Sequence, residues 1–105
     1  MARQTEHGEV WEAALDKVRP VVIVSRDDVA GRRDSATVAA ITSTVRGLPT
    51  EVLLDHRDGF PKPCAINCDE LTSIRKARLD RRIGRLSDTK IDSLDDALRF
   101  ALQLR

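Results

Sequence analysis

Residues 18–44, VRPVVIVSRDDVAGRRDSATVAAITST, constrain the fold more than any other stretch, because two apolar runs are joined there by a polar loop. From Val21 to Val24 the residues are β-branched without a break, and Thr37 to Thr44 is again rich in Val, Ile and Thr, which suits a pleated, buried surface. Pro20 stands at the mouth of the first run, where a missing N–H is tolerated, so the first strand is expected to begin there. Arg26 to Ser35 carries Asp, Gly and Arg, a loop composition. The whole reads as a long-looped β-hairpin.

If the loop is symmetric, Ser25 faces Ala36, and the same register carried outward sets Arg19 against Thr42. Directly opposed side chains of an antiparallel pair have Cβ atoms roughly 4.5–5.5 Å apart. A guanidinium and a hydroxyl would then share one spot, whereas a slip of one residue would put them on opposite faces.

Three short motifs stand in order along the chain: Gly8-Glu9-Val10-Trp11, Arg19-Pro20-Val21-Val22 and Ala39-Ala40-Ile41-Thr42. In order and spacing they resemble the MazF/PemK family of toxin endoribonucleases, over about Gly8 to Leu104. The resemblance implies an SH3-like small antiparallel barrel with a C-terminal helix, as in MazF-like and CcdB-like toxins, and Arg19 and Thr42 as the catalytic pair. It also implies RNA cleavage that arrests growth, a cognate antitoxin, and a homodimer whose interface groove holds substrate. Many members cover substrate with a longer loop where this chain has only Ala14 to Val18. The unbroken apolarity of Val21 to Val24 agrees with a dimer, because a strand buried on both faces needs cover on each.

The rest of the pattern fits one small domain spanning residues 1–105, with residues 1–7 polar and expected to fray. Strands are expected at Gly8–Ala13, Thr50–Leu54, Cys64–Asn67 and Leu71–Ile74, and a last one around Arg82–Leu86 after a short helical turn. Ser87 reads as an N-cap, with Asp88 in the first turn and Ile91, Leu94, Leu98, Ala101 and Leu102 as one apolar stripe. Short strands, Gly/Pro turns and one terminal helix point to a mainly β fold, a small and strongly curved sheet.

Hydrophobic content of 41% and charged content of 33% place the chain among globular proteins. No apolar run approaches the roughly 20 residues of a membrane span, and the N-terminus lacks a secretory h-region, so a cytoplasmic location is expected. Net charge is only +1, but Arg75, Lys76, Arg78, Arg81, Arg82 and Arg85 face Asp80 alone in one short run. Such a run attracts a phosphate backbone or an acidic segment, or simply forms a solvated face.

Cys64 and Cys68 on one extended strand would lie ~13 Å apart, too far for a disulfide. Two cysteines and the scattered His7 and His56 give no metal-ligand spacing, so no metal or cofactor is expected. His56 reads as a solvent-exposed loop residue, and Trp11 as a core residue before a base-stacking one.

Cutting RNA through attack of the ribose 2′-OH requires a proton acceptor, a proton donor and positive charge at the crowded phosphorus. Arginine supplies the charge in bidentate geometry and, with a pKa above about 12, makes a poor base. Arg19 is the phosphate clamp on this reading, and Thr42 a hydroxyl that bonds a phosphate oxygen or passes a proton. Which of the two moves the proton stays open. Taken without the resemblance, the residues favour Thr42 as a half-buried strand threonine and Arg19 as a strand-end ion pair. With few aromatics, recognition of single-stranded RNA would lean on Lys17, Arg26, Asp27, Arg33, Asn67 and Asp69. The rival reading is a CcdB-like toxin that binds a topoisomerase and cuts nothing; a third is a barrel that only binds.

Overall fold

A computed structural model describes residues 2–105. Strands β1 (Glu9–Ala14), β2 (Val18–Ile23), β3 (Ser35–Thr42), β4 (Glu51–Leu54), β5 (Cys64–Arg75) and β6 (Leu79–Arg85) precede one helix, α1 (Asp88–Leu102). They form one antiparallel sheet in the order β4-β5-β3-β2-β1-β6, curled into a half-barrel. The mainly β fold with a C-terminal helix is therefore as expected.

Val21, Val22 and Ile23 are all fully buried, because the curled sheet carries a core on each face. Val22 packs with Val10, Ile41, Ile66 and Leu94 beneath the helix. Val21 and Ile23 pack with Trp11, Ala13, Val38 and Leu79 on the other face. Both faces of β2 are thus covered within one chain, so its apolar run does not by itself call for a second copy. Trp11 is a core residue, and its indole N–H donates to Glu9 Oε1 at 3.1 Å.

Residues 2–7 are tied down where fraying was expected, and Met1 lies outside the described residues. Thr5 is buried and bridges to Asp28, and the Ala2 N–H donates to the Gly31 carbonyl at 3.2 Å. The anchor is Lys76, itself buried, whose Nζ donates to the Arg3 carbonyl at 2.7 Å and to Asp28 Oδ2 at 2.6 Å. Polar composition suggested a loose end, but these partners supply what a buried ammonium requires.

Cys64–Asn67 and Leu71–Ile74, expected as two strands, are one. β5 stays paired with β3 on both sides of a bulge, jumping from Ala39↔Leu71 to Ala40↔Asn67. β6 begins at Leu79, earlier than expected, and directly follows a 3-10 turn at Lys76–Arg78.

Ser87 caps α1, its hydroxyl accepting from the Lys90 N–H at 3.2 Å. The buried stripe is Leu94 and Ala97, flanked by half-buried Ile91, Leu98 and Ala101. Leu102, expected on that stripe, is exposed instead. Gly8 lets the helix approach: its φ is +89°, and a Cβ there would stand 2.8 Å from the Ile91 side chain.

Candidate active site

The hairpin register fixes the site. Val21↔Ala40, Val22↔Ala39 and Ile23↔Val38 are the pairs that a symmetric loop requires, and the same register extrapolates to Arg19 against Thr42. The β2–β3 ladder stops at Val21, and β2 continues back to Val18 along β1 alone, with Pro20 opposite Glu12 and Arg19 opposite Ala13. Pro20 therefore stands where no N–H is owed to β3. The two strands part there, and a cleft of about 360 Å³ opens between them. Arg19 and Thr42 both line it, with Lys17, Pro20, Ser43 and the Phe60–Cys64 segment.

Arg19 is held by Asp16, in the tight turn that the Leu15 N–H closes on the Lys17 carbonyl at 3.1 Å. Arg19 Nε and Nη2 donate to the two Asp16 oxygens at 3.1 and 3.3 Å. Asp16 thus occupies the side-on edge of the guanidinium, and among the described residues the end-on pair of Nη donors stays free for a second acceptor. The Asp16 carboxyl is lowered below its ordinary pKa by the Arg19 bond and then by the Lys17 N–H. Arg19 is raised, chiefly by Asp16 and least by Glu70, so its charge is permanent.

Thr42 Oγ1 accepts from the Thr44 N–H at 3.1 Å, and among the described residues its hydrogen meets no acceptor. That leaves the hydroxyl hydrogen free to donate. Phe60, half-buried on the core, adds an aromatic wall, and Lys62 a third cation beside Arg19 and Lys17. Neither has a role in the sequence reading, although an aromatic directly before a Pro-Lys-Pro run was a usable signal.

The other candidates separate. Lys17 lines the cleft. Arg26, Asp27 and Arg33 sit in the closed loop of the hairpin, at the end opposite Arg19 and Thr42. There Asp27 accepts from the His7 N–H at 2.8 Å, and the Arg33 N–H donates to Asp28 at 2.9 Å. Asn67 and Asp69 brace the β5 bulge: Asn67 Oδ1 accepts from the Asp69 N–H at 3.0 Å, and Thr50 Oγ1 donates to Asp69 Oδ2 at 2.7 Å. His56 is exposed on a single 3-10 turn, away from the cleft.

The basic run is largely spoken for. Arg81 pairs with Glu12, Arg82 with Glu9 at 2.9 Å, Arg85 with Asp88 at 3.3 Å and Lys76 with Asp28. Arg78 donates to the Ala14 carbonyl at 3.2 Å. Both cysteines are free and buried; burial pushes the Cys64 thiol up, and burial and then Asp69 push Cys68 to about 11. Neither is a thiolate nucleophile near neutral pH. Among the described residues no three His, Cys, Asp or Glu side chains are grouped to hold a metal ion.

Residues 6–102 match the family model described as PemK-like, MazF-like toxin of type II toxin-antitoxin system. The chain belongs to that family. This MazF-like chain is 41% identical over 92 residues to the endoribonuclease MazF3 of Mycobacterium tuberculosis, covering 88% of this chain and 89% of that one. The solved Mycobacterium tuberculosis toxin MazF-mt6 superposes with a TM-score of 0.86 at 39% identity, over 92% of this chain and 98% of its own. An endoribonuclease from a mycobacterial species, solved with its cognate antitoxin, shares the fold at TM-score 0.86 and 24% identity, over 96% and 97% of the two chains. These relatives favour the nuclease over the topoisomerase-binding toxin. No helix of the described residues is long and apolar enough to cross a membrane.

Proposed function

We propose that this MazF-like toxin is a sequence-selective endoribonuclease acting on single-stranded RNA, without a metal, by attack of a ribose 2′-OH on the adjacent phosphorus. The observation that carries the reading is one cleft lined by a permanent cation with a free bidentate edge and by a hydroxyl with an undirected hydrogen. The end-on edge of Arg19 takes two phosphate oxygens and stabilises the charge that builds on the phosphorane. The Thr42 hydroxyl donates to a phosphate oxygen. The new bond joins O2′ to phosphorus and the P–O5′ bond breaks, so the proton lost from the 2′-OH is balanced by one gained at O5′. The products are a 2′,3′-cyclic phosphate and a 5′-hydroxyl. Phe60 and Lys17 are placed to hold a flanking base and its phosphate.

The same reading includes a cognate antitoxin that holds the enzyme inactive, a homodimer and a cytoplasmic location. Membership of a toxin-antitoxin family supports the first. The test is incubation of a long single-stranded RNA in EDTA with wild type, Arg19→Ala and Thr42→Ala. Cleavage by the wild type and loss of roughly 10²–10³ in rate with each variant is expected. RNA left intact by the wild type, or cut undiminished by both variants, overturns the reading.

A further inference from the structure

Arg19 lines three clefts. A second, about 270 Å³, is lined without Thr42. Leu15, Val21, Val38 and Ala40 form its apolar lining, and Asp16, Glu70 and Thr72 its polar lining. Asp16 is engaged by Arg19, which leaves Glu70 as the free carboxylate.

Glu70 is there because β5 bulges. Between Asn67 and Leu71 the strand leaves the ladder of β3, and bulges beside active sites re-aim side chains in this way. Each of the preceding residues is committed to holding that shape. Asn67 accepts from the Asp69 N–H, Cys68 is buried with its N–H on the Thr50 carbonyl at 2.9 Å, and Asp69 accepts from the Thr50 hydroxyl. Glu70 alone is exposed and without a hydrogen-bond partner among the described residues. Glu70 and Arg19 line the same cleft, and the Glu70 charge adds, after Asp16, to what raises the guanidinium pKa.

We propose that this second cleft reads a base adjoining the scissile phosphate, with Glu70 accepting the exocyclic amino group of adenine, cytosine or guanine. The inference rests on the endoribonuclease reading, since Arg19, shared by both clefts, ties the subsite to the phosphate it grips. The apolar lining receives the ring, and the Arg19 plane stacks on it, as single-stranded bases are held. An ionised carboxylate only accepts hydrogen bonds, so it pairs with an amino group and opposes the carbonyls that flank N3–H in uracil. Discrimination of about tenfold is the size such a contact supplies.

The experiment mixes two single-stranded oligonucleotides in one reaction, identical except for an amino-bearing base or uracil at one nucleotide flanking the mapped cut. The readout is the ratio of their cleavage by wild type, Glu70→Gln and Glu70→Asp. The same ratio is read in binding of 2′-O-methyl versions, which cannot be cut, so a slow variant still reports. Wild type and Glu70→Asp preferring the amino base by about tenfold, with Glu70→Gln within about twofold of parity because its amide also donates, supports the proposal. Cleavage by the wild type with no such preference at either flanking nucleotide, or a preference that survives in Glu70→Gln, overturns it and leaves the nuclease intact. No cleavage by the wild type overturns both.

Discussion

Asp16 grips Arg19 along one edge of the guanidinium, Nε to Oδ1 and Nη2 to Oδ2, and among the described residues the end-on edge meets no partner, beside a cleft that Thr42 also lines. The pair is exposed and three residues apart in sequence, so it adds little to the fold. Its consequence is orientation. A guanidinium pinned on one side presents its free fork in a fixed direction, whereas an unpinned arginine samples many.

Asp16→Asn is therefore expected to lower kcat about tenfold, since a fork no longer aimed costs precision in the transition state. KM for RNA stays level or falls, because a negative charge beside the phosphate site has gone. Steady-state cleavage of a short fluorescent oligonucleotide separates the two. A rise in kcat would show Asp16 to be a brake on Arg19 and not its guide.

The buried pair Lys76–Asp28 makes a different demand. Asp28 is held well below the ordinary carboxylate range, first by the Lys76 bond and then by the Arg33 N–H. A carboxyl depressed in the folded state stabilises the fold at every pH above its unfolded value, about 3.9, and loses that contribution as pH falls further. Asp28→Asn should melt roughly 10 °C below wild type at pH 7, because a buried ammonium loses its counter-charge. The gap should narrow below about pH 4, as the wild-type carboxylate is titrated. Thermal melts of both proteins across that range check the sign.

Helix α1 offers a test of which side chains carry the packing. Leu94 is fully buried between helix and sheet, so Leu94→Ala should cost about 2–5 kcal/mol. Leu102→Ala should stay within about 0.5 kcal/mol, since its side chain is already 52% exposed. Urea unfolding of the two variants distinguishes the observed stripe from one that continues to the last turn.

Much of this arrangement was legible in the chain because it is local. Two β-branched runs and a symmetric loop give the β2–β3 register, and a serine followed by acidic and apolar residues at helical spacing gives α1. What escaped depends on partners distant in sequence. Asp28 and Lys76 lie 48 residues apart, and neither residue type announces a buried pair. Cys68-Asp69-Glu70 looked like a strand break, because the hydroxyl and carbonyl that turn it into a bulge come from Thr50. Arg26, Asp27 and Arg33 were attractive as loop residues, yet a hairpin puts its loop at the opposite end from its open strands. The geometry that brings Arg19 to Thr42 carries that loop away.

The sharpest test of the site uses substitutions that keep charge or hydroxyl and change only geometry. Arg19→Lys retains the positive charge but has no planar fork, so it can neither hold Asp16 side-on nor offer two parallel donors to a phosphate. It should lose roughly 10²-fold in kcat/KM, close to Arg19→Ala. Thr42→Ser keeps the oxygen that accepts from the Thr44 N–H and the hydrogen free to donate, so it should stay within a few-fold of wild type, whereas Thr42→Val should fall with Thr42→Ala. Single-turnover cleavage at saturating enzyme reads these effects on chemistry directly. An active Arg19→Lys would mean that charge alone suffices at the phosphate, and a failing Thr42→Ser would place the requirement in the methyl group and the packing of the cleft wall.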